Sequence, residues 1–192
     1  DVLNDNGEVT GERTTTKEYS EATRYYLDKS SLPKMIGGFN ANVNYKNFDL
    51  SALINFSFGS YVYDGVYSSL MSGFESPGRN GHPDLKRRWQ NPGDQTDVPL
   101  FLNGQNDFNA TSSRFLFKNN YIRVRGLNLG YTFDESWMQK FQIQGLRVYL
   151  QGDNLFTYQS HKGIDPEQAI SGMTNYRSHQ MKTISLGINV QL

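Results

Sequence analysis

The sequence predicts an all-β chain whose antiparallel strands form part of a large transmembrane β-barrel. Side chains alternate between apolar and polar along several stretches, as they do on strands that face two different environments. The connections between these stretches are short and long in turn, which is typical of outer-membrane barrels. No stretch approaches the roughly 20 mostly apolar residues that a membrane helix needs.

The final stretch of the chain shows the alternation most clearly. Small or polar residues separate a regular series of apolar ones: Ile184, Leu186, Ile188, Val190 and Leu192. A tilted strand of about nine to eleven residues is enough to cross a bilayer. The same stripe also suits a soluble β-sandwich, in which the apolar face packs on a second sheet. Repetition of the pattern and the lengths of the loops therefore decide between the two.

Composition narrows the class of protein further. Only 36% of the 192 residues are hydrophobic, which is low for a soluble core, and aromatic residues make up 14%. The formal net charge is zero, so no nucleic-acid partner is expected. The chain contains no cysteine, which excludes disulfides and thiol chemistry. Asp1 opens into polar sequence without the signal peptide that an outer-membrane protein would need, so we expect a mature and incomplete chain.

The elements follow in order along the chain. Residues 1–34 are polar and are predicted to be an extracellular loop segment, with a short helix over Tyr19–Leu27. Residues 35–192 are predicted to be the C-terminal part of the barrel. Its five expected strands lie at about 35–46, 48–60, 115–133, 145–158 and 180–192. The third strand changes phase at Gly126, where we predict a β-bulge.

The first strand indicates what the polar face of the sheet contacts. Asn40, Asn42 and Asn44 lie on one face, opposite an apolar series that begins at Phe39. Asparagines are poor residues for a soluble core but suit a water-filled lumen, so we expect this face to line one. Arg123, Arg125 and Arg147 are also predicted to face the lumen, where they pair with carboxylates of a plug or meet a substrate, structural pairing being the favoured role.

The lengths of the connections between strands indicate how the barrel is oriented in the membrane. The Lys46-Asn47 turn is tight, a connection of about sixty residues follows residue 60, and later connections have about ten and about twenty residues. Short helices are predicted in them at Asp84–Gln90 and Asp134–Phe141. In outer-membrane barrels the long loops are extracellular. Because five strands are too few to close a barrel, we expect this chain either to be the C-terminal piece of a long polypeptide or to assemble with other chains.

Several motifs together resemble the C-terminal part of SusC/RagA-type TonB-dependent transporters. They occur in the family's order and cover nearly the whole chain: Ala22-Thr23-Arg24-Tyr25-Tyr26 with Leu32-Pro33 and Gly37-Gly38-Phe39, Tyr45–Leu50, Arg88-Trp89 with Thr96–Pro99, Tyr121–Tyr131, and Asn154-Leu155-Phe156 with Asp165-Pro166-Glu167. Leu192 departs from the aromatic residue that ends many barrel proteins.

The resemblance implies a 22-stranded barrel in the outer membrane of a Gram-negative bacterium, with its lumen plugged. It implies import of large nutrients, a glycan first and an oligopeptide second, beneath a SusD-like surface lipoprotein. Expected partners are therefore the plug and upstream strands of the same transporter, that lipoprotein, the lipid bilayer, and TonB through the N-terminal part. No cofactor is expected. The alternative function is a secreted glycan-binding β-sandwich module.

Candidate contact residues lie in the loops. Trp89, beside a basic run, is predicted to contact substrate or the lipoprotein lid, although packing within its own loop is the simpler explanation. Tyr67, Phe74, Phe101 and Asp165 are further candidates of the same kind. Asp165 and Glu167 are expected to form a solvated turn rather than an acid–base pair. His82, His161 and His179 lack metal-ligand spacing, and with no nucleophile or phosphate-loop motif we predict neither a metal site nor an enzyme.

Overall fold

A computed structural model describes residues 2–12, 14, 16, 18–24, 26–72, 78, 80–100, 109–168, 171–174 and 176–192. These residues fall into two compact units, which are described separately. The loop unit comprises the described residues of Asp1–Lys29, Tyr63–Leu116 and Met173–Asn175. The sheet unit comprises those of Ser30–Val62, Phe117–Gly172 and Tyr176–Leu192.

A five-stranded antiparallel sheet dominates the sheet unit and confirms the predicted all-β architecture. Numbered along the chain, the strands are β1 Met35–Tyr45, β2 Phe48–Phe58, β3 Tyr61–Tyr63, β4 Leu116–Lys118, β5 Tyr121–Thr132, β6 Gly145–Gln159 and β7 Thr183–Gln191. The large sheet has the order β1-β2-β5-β6-β7, and β3 pairs with β4 in a small second sheet. Tyr63 of β3 also forms an isolated parallel bridge with Met173. The start of the strand predicted over 115–133 is therefore wrong. Residues 116–118 form β4, which pairs with β3, before the chain enters β5.

Two irregularities interrupt the ladders of β5. Arg125 is the extra residue on β5, because Val124 pairs with Ile54 and Gly126 with the adjacent Leu53. The predicted bulge is thus present, one residue before the glycine that signalled it. β6 carries one extra residue, because Asn154 and Leu155 both lie opposite Arg125, and Asn154 takes a left-handed φ of 53°. Asparagine tolerates this backbone region better than most residues.

The connections contain short helices. Helix α1, Gly65–Met71, begins where the Asp64 carboxylate accepts a hydrogen bond from the Tyr67 backbone N–H at 2.9 Å. The helix predicted over Asp84–Gln90 is a 3-10 helix at Pro83–Arg87. Helix α2, Glu135–Met138, continues as 3-10 turns through Phe141, close to the prediction. The helix predicted over Tyr19–Leu27 is wrong, since the described residues of that range form only a 3-10 turn at Tyr19–Glu21.

Most of the buried apolar side chains of the described residues lie outside the large sheet. Val62 and Ile164 form a buried cluster in the sheet unit, with Phe117 packed on it. The loop unit buries a separate set of apolar side chains: Met71, Leu85, Val98 and Phe115. None of the helices formed by the described residues has the length and apolar character needed to span a bilayer.

Candidate functional site

The large sheet has one apolar and one polar face. Directly paired residues share a face, so the register defines rows of side chains that run across all strands. One central row is wholly apolar: Val43, Leu50, Leu129, Leu150 and Leu186. The neighbouring row on the other face is polar: Asn42, Ser51, Asn128, Gln151 and Ser185.

The apolar face is exposed. Leu186 and Ile184 are each 71% exposed, and Leu150 is 48% exposed. An exposed apolar surface of this extent marks contact with lipid or with another protein. Aromatic rings flank it at the short-turn end, where the Phe48 and Tyr131 ring centroids lie 4.7 Å apart, and at the long-loop end, where Phe56 and Phe58 lie 5.7 Å apart. Aromatic girdles in these positions are typical of membrane interfaces.

The polar face carries the residues that the sequence predicted to face a lumen, with Arg125 assigned to it through Glu167, the carboxylate that Arg123 also binds. Asn40, Asn42 and Asn44 lie in its rows, and Arg147 and Arg123 project from the same face. A recess of about 260 Å³ lies over the β5 bulge, lined by amide, hydroxyl and carboxylate groups that include Asn40, Asn128, Gln151 and Asp153. That this face borders a lumen stays a prediction.

An ion pair crosses the polar face near the short-turn end. Arg147 on β6 donates from Nε and Nη2 to the two carboxylate oxygens of Asp49 on β2, at 3.0 and 2.5 Å. The pair spans Gly130 of β5, where a Cβ would touch both side chains, so glycine is what lets them lie flat on the sheet. The Arg147 guanidinium also lies 5.0 Å from the Tyr149 ring centroid.

A buried charged cluster fixes the β6–β7 loop to β5. Arg123 donates from Nη2 to Asp165 at 2.9 Å and from Nη1 to Glu167 at 2.7 Å, and its side chain is only 4% exposed. Arg125 also donates to Glu167, at 2.6 Å. Gln180, further along the same loop, donates to Glu167 at 2.8 Å. We call this group the Arg123 cluster.

Asp165 is the most enclosed carboxylate of this cluster. Burial alone would raise its pKa, but backbone N–H donors of Gln180 and Glu167 and the Arg123 guanidinium offset burial and hold the pKa below its usual range. The solvated turn predicted for Asp165 and Glu167 is therefore wrong, since Asp165 is 2% exposed. Asp165 was a candidate contact for substrate or lid, yet its oxygens are occupied by groups of its own chain.

Tyr67 belongs to a second polar cluster, in the loop unit. Its hydroxyl donates to Asp84 at 2.8 Å, and its ring meets His82 edge-on at 4.7 Å. Burial, followed by the hydrogen bond to the Asp84 carboxylate, raises the pKa of Tyr67 to about 12. The Tyr67 hydrogen bond, with His82 and Arg87 nearby, lowers the pKa of Asp84. Tyr67 is thus part of the packing that orders the loop, and its role as a contact residue stays a prediction.

The remaining candidates are not brought into one site. Trp89 is half-buried, its backbone N–H donates to the Val98 carbonyl at 2.8 Å within its own loop, and its role as a contact residue stays a prediction. Phe74 and Phe101 lie outside the described residues. Glu167 and Gln180 were not predicted from the sequence as partners of the arginines. A signal existed, since Arg123 and Arg125 repeat the two-residue spacing of Asp165 and Glu167 with opposite charge.

No group of three or more histidines or carboxylates within the described residues is arranged to hold a metal ion. What the described fold offers is a two-faced sheet with polar, charge-paired side chains on one face and exposed apolar side chains on the other. That combination is typical of the wall of a membrane β-barrel.

Comparison with known proteins shows which transporters the chain is similar to. No protein-family model matches the chain. It is 28% identical over 196 residues to the TonB-dependent receptor P3 of Formosa agariphila, and 29% identical over 171 residues to the TonB-dependent receptor SusC of Bacteroides thetaiotaomicron. These alignments cover 96% and 86% of this chain but 19% and 16% of the relatives.

Solved structures agree with the sequence relatives. The RagAB peptide importer superposes with a TM-score of 0.75 in its open-open state, at 25% identity, and 0.75 in its closed-closed state, at 26% identity. The matches cover 96% and 98% of this chain and 20% of each importer chain. The resemblance to SusC/RagA-type TonB-dependent transporters is therefore confirmed over nearly the whole chain, which spans about a fifth of the length of such proteins.

Proposed function

We propose that the chain supplies wall strands and outer loops to a TonB-dependent importer of large nutrients in the outer membrane of a Gram-negative bacterium. The observation that carries the proposal is the two-faced sheet, in which an exposed apolar face backs a face of amides and paired charges. The similarity to TonB-dependent receptors and to the RagAB importer supports it. In this proposal the apolar face contacts lipid and the polar face borders the lumen.

The secreted β-sandwich is the weaker alternative. A sandwich needs a second sheet against the apolar face to bury it. Within the described residues the only other sheet is the small one made by β3 and β4, and side chains such as Leu186 remain exposed. The proposal therefore keeps transport as the function, without an enzymatic step.

The proposal also specifies the class of nutrient that is transported and the protein partners of the transporter. A glycan is the expectation from the sequence, whereas the solved relatives are described as peptide importers, which supports an oligopeptide as the competing cargo. A SusD-like surface lipoprotein above the long loops, a plug within the barrel and TonB below it complete the assembly that we propose.

Uptake by cells that carry the full-length transporter tests the proposal. Labelled oligopeptides and labelled oligosaccharides of matched size are offered to cells with and without TonB, with surface abundance of the transporter measured in parallel. We expect one of the two cargo classes to accumulate only when both the transporter and TonB are present. Accumulation that is independent of TonB, or binding without accumulation of either class, would contradict the proposed function.

A further inference from the structure

The arginines of the polar face differ in how many guanidinium nitrogens are occupied. Arg147 engages Asp49 through Nε and Nη2. Arg123 uses all of its nitrogens, with Nε donating to the Thr157 hydroxyl at 3.0 Å and the two Nη atoms donating to carboxylates. In both residues the adjacent Nε–H and Nη2–H donors, which form one fork of the guanidinium, are already taken.

Arg125 differs because its hydrogen bonds all come from a single nitrogen. Its Nη1 donates to Glu167 Oε2 at 2.6 Å and to Gln180 Oε1 at 3.0 Å. Its Nε and Nη2 donate to no described residue, and the side chain is 38% exposed compared with 4% for Arg123. The free fork of Arg125 presents two parallel N–H donors, which is the geometry that binds a planar oxyanion in bidentate fashion.

The environment holds this fork in place. Arg125 is the extra residue of the β5 bulge, so no residue of β2 stands directly opposite it, and on β6 it faces the bulged pair Asn154 and Leu155. Its anchor, Glu167, is itself fixed by Arg123 at 2.7 Å and by Gln180 at 2.8 Å. A side chain that is ordered before binding loses less conformational entropy when it binds. Arg125 is therefore tethered at one end and available at the other.

The charge of the groups around Arg125 limits the class of ligand that can bind there. Arg123 and Arg125 are balanced by Asp165 and Glu167, so the Arg123 cluster is formally neutral. Binding then depends on the geometry of the fork rather than on a broad positive field, and a second negative charge on the ligand would face Glu167 without compensation. A singly charged, planar carboxylate fits these conditions better than a phosphate does.

We propose that Arg125 is a carboxylate-binding site on the polar face of the sheet. The carboxylate has two possible sources, a molecule that moves along this face or a side chain from another part of the same transporter. The site rests on the geometry of this chain and not on transport, so it can be measured in protein that has lost its uptake activity.

Arginine-selective modification of the full-length protein in detergent tests the site. The protein is treated with phenylglyoxal in chloride or in acetate of equal ionic strength, and mass spectrometry follows modification at Arg125. Arg123 is the buried reference and Arg177, exposed on the same loop, the open reference. We expect Arg125 to react in chloride and to react about tenfold more slowly in saturating acetate, because two charge-assisted hydrogen bonds protect it. Arg177 should react equally in both.

A second arm separates the two sources of the carboxylate. If Arg125 is already protected in chloride, the measurement is repeated on a variant without the plug, and reactivity that appears there assigns the carboxylate to the plug. Reactivity in chloride with acetate protection assigns it to a mobile molecule. The site is refuted if acetate fails to protect a reactive Arg125, or if Arg125 stays unreactive after the plug is removed.

Discussion

Replacing one apolar residue of β7 with arginine tests the lipid contact. Leu186 lies in the central apolar row with Leu150 and Leu129, between the aromatic rows at the two ends, and is 71% exposed. Arginine on the lipid face costs about 2–4 kcal/mol at the bilayer midplane and about 0–1 kcal/mol near the interface. We therefore expect Leu186→Arg to lower the free energy of unfolding by about 2–4 kcal/mol.

Arginine at a second membrane depth and on the opposite face of the sheet provides two internal controls. Ile188 is in the row of Phe48 and Tyr131, and two residues along a tilted strand move it about 5 Å toward the short-turn interface. Ile188→Arg should therefore cost about half as much as Leu186→Arg. Ser185 and Asn189 lie on the polar face, so arginine there should cost less than about 1 kcal/mol.

Guanidinium titration of the full-length barrel in phospholipid vesicles measures these costs, with arginine placed singly at each of the four positions. The order expected is Leu186, then Ile188, then the polar-face positions. Equal costs at Leu186 and Ser185 would refute the assignment of faces, and a larger cost at Ile188 than at Leu186 would refute the assignment of the midplane.

Three further predictions follow from the clusters and loops. Asp165→Asn should lower the free energy of unfolding by about 3 kcal/mol, because it removes the charged partner of a buried guanidinium. Asp97→Asn, in an exposed pair with Arg87, should cost less than about 1 kcal/mol. Similar costs of the two substitutions in denaturant titrations would contradict the argument from burial. The pKa of Asp165 is lowered in the folded protein, so its contribution to stability is fully present above the unfolded value of about 3.9 and is lost as pH falls through the folded value. The protection factor of the Gln180 amide against hydrogen exchange should accordingly fall as pH drops below about 4, with Asp165→Asn showing no such step. An amide equally protected at all pH values would count against the claim. Trp89→Ala should reduce uptake at unchanged surface abundance if Trp89 contacts cargo or lid, and undiminished uptake would leave it as a packing residue.

The strands of the large sheet were predictable because their signal is local. Alternation places Asn40, Asn42 and Asn44 on one face whatever the rest of the chain does, and the hairpin turn at Lys46-Asn47 then sets the register with β2. The phase change at Gly126 likewise marks a bulge within a single strand. Such features need no knowledge of distant residues.

The Arg123 cluster was not predictable in the same way. Arg123 and Asp165 are 42 residues apart, and nothing in a polar loop sequence dictates that it folds back and buries a carboxylate. Thr174 and Asp64, which share a hydrogen bond, are 110 residues apart. The short helices of the loops were placed only roughly for a related reason, because helices of a few residues carry too little periodicity to define their ends.

The central claim is that the two faces of the sheet meet lipid and lumen, and a spin-label scan of β7 tests it most directly. Because this chain has no cysteine, single cysteines can be placed in turn from Ile184 to Val190 in the full-length protein, in a background without other cysteines. Collisions with oxygen, which concentrates in lipid, should be high at Ile184, Leu186, Ile188 and Val190, and collisions with a water-soluble nickel chelate should be high at the residues between them. Accessibility to both reagents without a period of two along β7 would contradict the account.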